Sequence, residues 1–329
     1  MAGETEFTNR VRDGKVFFFA GSGISFLSNL PSAGRVLCNT AAWCLPDQDD
    51  YKALRQAVVV DESSYKIQPE VFYETLLYVV RSTDALLFWK SVSTSYLKSF
   101  GYPVEPNINH LAIVDYAVKT RMPILTTNFD SLFEEAAEQL GYNHQVLLPR
   151  TDDERTIIEC FNRRAIRTDT AYIFKLHGSI STSGEESLDS LCTTMTSISR
   201  ANFRVIDFLE WLCKANHIVF VGYSGRDIDY FPEIKRRSLV RRPFWIDRFR
   251  DTATRANCDY IHAIPVTAYP NEIFERERPE LIRRPVNVPA DLVNRLFWSL
   301  QEEISRRIAL TDDEKKLLLG LLLRQVQNS

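Results

Sequence analysis

A short apolar run that stops on small residues is the feature that most constrains this chain. Residues 15–20 read KVFFFA and end at Gly21-Ser22-Gly23. The run is too short for a stable helix and shows no polar alternation. It predicts a strand buried on both faces that meets a tight turn. Three later segments repeat the pattern: 123–126 before Thr127-Asn128-Phe129-Asp130, 171–176 before His177-Gly178-Ser179, and 217–221 before Gly222-Tyr223-Ser224-Gly225. Residues 243–246 and 260–266 are two further strand candidates, and amphipathic stretches such as 131–140 and 206–214 lie between. Strands that alternate with helices predict a parallel sheet covered on both faces.

Between the first and second strands lie about a hundred residues, where a crossover needs only a dozen or so. Within them, Val71, Leu76, Val79, Val80, Leu86, Leu87 and Leu97 mark a helical stretch over 70–100. With 41–60, also read as helical, it predicts a helical module inserted at about 26–110. Beyond Pro289, the residues Val293, Phe297, Leu300, Ile304 and Ile308 fall on one helix face. Thr311 and Glu314 then form a capping-box start for a final helix that carries Leu317, Leu318, Leu321 and Leu322. The expected organisation is a sheet domain over 1–280 with that insertion, then a helical extension over 281–329 that serves as an interface.

Composition narrows the partners. Forty Lys and Arg against 43 Asp and Glu give a net charge of −3, which provides no general field for nucleic acid or an anionic membrane. The longest apolar run, 317–323, falls well below the ~20 residues that span a bilayer. Residues 1–12 are polar and mixed in charge, unlike a secretory signal. The six cysteines form no C-x-x-C pair, which argues against a thiolate zinc site and a disulfide framework. A soluble, reduced, cytoplasmic protein is expected. A basic cluster, Lys235-Arg236-Arg237 with Arg241-Arg242, has no interleaved aromatics and reads as a solvated face rather than a nucleic-acid platform.

In open parallel sheets, ligands bind outside the carboxyl ends of the strands, where the small and polar residues of all four punctuated strands fall. The turn Gly21-Ser22-Gly23-Ile24-Ser25 would let main-chain N–H groups approach a pyrophosphate at a helix start. It equally suits a plain tight turn, and Phe26 replaces the third glycine of a G-x-G-x-x-G fingerprint. Asp130 suits the role of cap for the helix from Ser131, but Asn128 lies on the strand side, where capping does not account for it. His177, beside a glycine, can accept a proton near neutral pH, whereas His110, His144, His217 and His262 read as structural. Gly222-Tyr223-Ser224-Gly225 suits a ribose or adenine.

The ordered motifs GSGIS (21–25), TTNFD (126–130), KLHGS (175–179) and FVGYSG (220–225) resemble the sirtuins. The resemblance is closest to the divergent sirtuin-like NAD hydrolases of bacterial anti-phage defence, and it covers roughly residues 12–270. It implies a Rossmann-like doubly wound parallel sheet with an inserted helical module, and NAD as substrate without a metal. Gly21, Ser22, Gly23, Ile24 and Ser25 would contact the pyrophosphate, with Ala20 and Thr127 completing that set. Asn128 and Asp130 would hold the nicotinamide ribose and the attacking group, and His177 would be the general base. Gly222, Tyr223 and Ser224 would lie near the adenosine end.

The departures from the family count as well. The four-cysteine zinc ribbon of the protein deacylases is missing, and the stretch Asn29-Leu30-Pro31-Ser32-Ala33-Gly34-Arg35 replaces Gly-Ile-Pro-Asp-Phe-Arg. Hydrolysis of NAD in abortive-infection defence, controlled by self-assembly or a separate sensor subunit, is therefore the expected function. The alternatives are a nucleotide-binding assembly subunit without turnover, a deacylase and an ADP-ribosyltransferase.

Overall fold

The computed structural model describes residues 2–45, 49, 52, 59–61, 64–65, 67–80, 89–148, 167–180, 191–193, 195–198, 203–236, 241–246, 252–266, 280 and 286–328. In chain order the strands among them are β1 (Val16–Ala20), β2 (Val59–Asp61), β3 (Ser64–Tyr65), β4 (Ile124–Thr126), β5 (Asn143–Leu147), β6 (Thr170–Lys175), β7 (His217–Val221), β8 (Phe244–Ile246) and β9 (Ile264–Val266). Seven form one sheet in the order β5-β6-β4-β1-β7-β8-β9. Every pairing in that sheet is parallel.

Strand β1 shows why the first run has no polar alternation. Val16, Phe18 and Ala20 face one core, with Val114 and Val118 of the helix Ile108–Thr120. Phe17 and Phe19 face the other, with Phe208 and Leu212 of the helix Phe203–Ala215. Burying each phenylalanine contributes about 1.5–3 kcal/mol, so all three hold the centre of the sheet in place. This is the α/β doubly wound class expected from the sequence.

Two strand assignments change. Over 260–266 only Ile264–Val266 is strand, because the helix Thr252–Tyr260 occupies the start of that stretch. Strand β5 carries no apolar run at all. It lies at the edge of the sheet, and Asn143, His144 and Gln145 are exposed.

The chain divides into two compact units. The sheet unit comprises Met1–Ser28, Glu105–Ser179 and Arg200–Pro285. The second comprises Asn29–Val104, Ile180–Ser199 and Val286–Ser329, so the C-terminal helices group with the inserted residues. In this unit the helix Ala33–Cys44 covers the start of the stretch expected to be helical over 41–60. Val59–Asp61 instead pairs antiparallel with Ser64–Tyr65, and 46–48, 50–51 and 53–58 lie outside the described residues. The helix Ala290–Arg307 buries Leu292, Leu296, Leu300 and Ile304. Its inner face is thus turned by one residue from the expected one, leaving Val293 and Phe297 partly buried. The capping box forms: the Thr311 N–H donates to Glu314 Oε2 at 2.8 Å and the Glu314 N–H to Thr311 Oγ1 at 3.3 Å. Leu318 and Leu322 are buried while Leu317 and Leu323 are exposed. Among the described residues, no helix is long and apolar enough to cross a membrane.

Candidate active site

The sheet grows from β1 in opposite directions, through β4 to β6 and β5 on one side and through β7 to β8 and β9 on the other. The crevice at such a switch point opens between the carboxyl ends of β1 and β7. There the two glycine turns interlock. Gly21 N–H donates to Val221 O at 3.0 Å, Gly23 N–H to Gly222 O at 2.8 Å, and Ile24 N–H to Gly21 O at 3.1 Å. A Cβ on Gly21 would sit 2.6 Å from Gly222 O. One on Gly222, at φ +57°, would sit 2.3 Å from the Ile24 nitrogen. The glycines are required by this close approach of two backbones.

The turn is expected to offer its N–H groups to a pyrophosphate. Those of Gly21, Gly23 and Ile24 are already bonded, and the following segment, Ser22–Ser28, is a 3-10 turn rather than the start of an α-helix. Ser22 and Gly23 are exposed on it. Tyr223, expected near the adenosine end, is buried. Its ring packs against Phe19 at 4.7 Å and Phe220 at 5.4 Å, and its hydroxyl is buried with no partner among the described residues. The loop is tied down by Trp245 Nε1–H to Tyr223 O at 3.0 Å and by Asn257 Nδ2–H to Ser224 O at 3.1 Å.

On the other side of β1 the contacts run through side chains. Thr126 Oγ1–H and Thr127 N–H both donate to Ala20 O, at 3.0 and 3.1 Å, which locks the TTNFD turn onto β1. Asn128 follows, with its own N–H on Thr126 Oγ1 at 3.0 Å. Ser25 is the hub of the turn. His110 Nδ1 accepts the Asn107 N–H at 3.4 Å, so the ring proton lies on Nε2 and points at Ser25 Oγ, 3.3 Å away. Asn128 Nδ2–H also donates to Ser25 Oγ at 3.2 Å, and the serine proton goes to Asp130 Oδ2 at 3.1 Å. Burial holds the His110 pKa down to about 3, so the ring stays neutral and keeps that tautomer.

Asp130 is pushed up to about 6 by burial, against the opposing pull of Lys175. Its Oδ1 accepts the Leu132 N–H at 3.1 Å at the start of the helix Leu132–Gln139, so both carboxylate oxygens are engaged. Asp130 thus binds the first N–H of that helix and accepts the Ser25 proton. Asn128 has no such second duty. Its Oδ1 is buried and has no partner among the described residues. A buried acceptor left unpaired costs about 1–3 kcal/mol, so a ligand hydroxyl or water that donates to it relieves that cost.

His177 stands one strand over, since Thr126 pairs with Lys175 and Asn128 and His177 each follow two residues later. The ring of Phe129 lies 6.4 Å from the imidazole. Lys175 anchors this corner without any exposure. Its Nζ donates to Asp130 O at 2.6 Å and Ser179 Oγ at 2.8 Å, and pairs with Glu134 at 2.5 Å. Two residues that the sequence reading did not single out, Asp227 and Asp229, complete the site. Asp229 accepts from His177 Nε2 at 3.1 and 3.2 Å, and Asp227 Oδ1 caps the helix Tyr230–Arg236 through the Tyr230 and Phe231 N–H groups, both at 2.9 Å. The signal that could have found them is an Asp-x-Asp directly before a helix.

The basic cluster is largely absorbed by the fold. Lys235 bonds Asn257 Oδ1 and lies over the rings of Phe231 and Tyr260, and Arg236 pairs with Glu233. Arg241 and Arg242 donate to the carbonyls of Lys214 and His262. Arg237 lies outside the described residues.

Fold and crevice together define a doubly wound α/β protein with its polar groups gathered at the carboxyl ends of β4 and β6. Within it, residues 123–255 match the family model described as a SIR2-like domain. The match takes in the TNFD, HGS and GYSG turns but not the first glycine turn. Two solved structures are similar to the chain. One, a Sir2 homologue in complex with NAD, is 15% identical with a TM-score of 0.43, covering 90% of this chain and 94% of that one. The other, Sir2Tm bound to a propionylated peptide, is 12% identical with a TM-score of 0.40, covering 84% and 97%. A search of curated proteins returns no match.

Proposed function

We propose that the chain is an NAD glycohydrolase, which splits NAD and water into nicotinamide, ADP-ribose and a proton. The observation that carries this reading is the buried Asn128 Oδ1 without a partner among the described residues, one strand from His177. The ordered motifs and the SIR2-like match over 123–255 support it.

When the nicotinamide bond breaks, a cationic pyridinium leaves as a neutral molecule and positive charge builds on the ribose. The protein then has to hold the sugar, exclude bulk solvent and present one nucleophile from the opposite face. Asn128 Oδ1 accepts a hydrogen bond from the attacking water or a ribose hydroxyl, and His177 takes the proton that is released. Asp130 and His110 act through Ser25, which fixes the Asn128 amide. Unrestrained loss of NAD kills a cell, so we place the activity in abortive-infection defence, held in check until a partner or self-association releases it.

The test is NAD consumption by the purified chain, with products resolved by chromatography and His177→Ala as control. Free ADP-ribose and nicotinamide, lost in the variant, are expected. ADP-ribose found only on protein or nucleic acid, or consumption only with an acyl-lysine peptide, would assign transfer or deacylation instead. NAD binding without turnover, with any partner supplied, would leave an assembly subunit.

A further inference from the structure

At His177 Nε2, two acidic side chains follow one another. The near one, Asp229, lies against Nε2 with both carboxylate oxygens within 3.2 Å, and both side chains are less than a tenth exposed. The far one, Asp227, gives Oδ1 to two main-chain N–H groups, while its Oδ2 is buried without a donor among the described residues. The side chain that acts on Asp227 is Asp229, two residues on and likewise buried, and two buried carboxyl groups side by side favour a proton on one of them.

We propose that Asp229 and Asp227 are positioning residues that share one proton behind His177: Asp227 holds it and donates to an ionised Asp229, which in turn accepts Nε2–H and leaves Nδ1 as the basic nitrogen. The proposal rests on the reading of His177 as the base, but its geometry stands without that reading.

The charges support this order. Burial raises Asp227, and the Asp229 charge adds to the rise, with His177 opposing. Burial also acts to raise Asp229, but the charge of His177 and the bonds from His177 and Asp227 outweigh it and leave the carboxyl below its ordinary range. Among the described residues, Asp227 and His177 are the titratable groups that act on Asp229. Beside the imidazole stand the Tyr230 ring, at 5.8 Å, and Phe129. The outer Asp227 is thus the neutral member and the inner Asp229 the anion. An anion on Nε2 raises the basicity of the ring and fixes its tautomer. Once Asp227 ionises, a second negative charge lies behind the ring and raises its affinity for a proton again.

The experiment is a pH titration of protein carrying 15N-labelled histidine, read by NMR, with His177→Gln to assign the signal. It needs no turnover. Wild-type His177 is expected as the Nε2–H tautomer, with its titration lowered by about 1 pH unit or more in Asp229→Asn, the size of effect expected for an adjacent opposite charge. Asp227→Asn keeps the helix cap and the donor to Asp229. It should keep the tautomer but remove the second, alkaline inflection from the His177 curve. The signals of the other four histidines report whether each variant folds. An Nδ1–H tautomer in the wild type, or a His177 curve that neither substitution moves in a folded protein, would overturn the proposal. A coupled titration in a protein that never cleaves NAD would leave the relay standing and sink the hydrolase.

Discussion

The two corners of the crevice are built by different means. At β1 and β7 the chain spends glycines: two turns touch backbone to backbone and are joined by main-chain hydrogen bonds. At β4 and β6 it uses side chains, with Ser25, Asn128, Asp130, Glu134 and Lys175 bonded across three strands' ends and His177 bonded to Asp229. The first corner tolerates little because there is no space, the second because each buried polar group depends on a partner. The glycine-rich turn packs two backbones together, and the proposed chemistry rests on the orphaned Asn128 acceptor, one strand from His177.

Substitutions separate the two. Lys175→Met should do the most damage, since it leaves Glu134 and the Asp130 carbonyl buried without their cation. Breaking a buried pair in this way costs ~3–5 kcal/mol, readable by denaturant unfolding. Gly222→Ala should follow at ~2–4 kcal/mol, because it combines a left-handed φ with a Cβ pressed onto main chain. If Gly222→Ala unfolds like the wild type, the interlock is not what holds that corner.

The third prediction uses pH. Asp130 has its folded pKa raised from 3.8 to about 6, so the folded state binds the proton more tightly than the unfolded one. Its contribution is therefore full below 3.8, is lost as pH rises through that window, and stays lost above it. Against Asp130→Asn, the wild type should lose on the order of 3 kcal/mol of stability across it. Parallel curves for the two proteins would show that Asp130 is not buried as described. Smallest of all, Arg242→Gln removes one exposed donor to the His262 carbonyl and should shift stability by less than ~0.5 kcal/mol. A larger loss would mean that the basic cluster supports the sheet more than its exposure suggests.

The sequence revealed the sheet where burial on both faces leaves an unbroken apolar run. It concealed β5, because an edge strand can be polar, and it placed the inner face of the helix Ala290–Arg307 one residue off, because Val293 and Phe297 line its margin. For the site, Asn128 and His177 stood out because each comes two residues after a buried strand. Ser25 could be named but not its role as hub, which depends on His110 arriving from a helix 85 residues away. Asp227 and Asp229 were hidden, since a carboxylate before a helix reads as an ordinary cap, and only the fold brings Asp229 onto an imidazole 52 residues back in the chain.

The central claim is that the polar corner carries the chemistry and the glycine corner does not depend on it. It is tested most directly by Asn128→Ala, with NAD turnover and the unfolding midpoint read on one preparation. The account predicts turnover lowered by at least ~10²-fold and a midpoint within a few degrees of the wild type, since an unpaired acceptor leaves together with the single bond to Ser25. Turnover retained in the folded variant would contradict it.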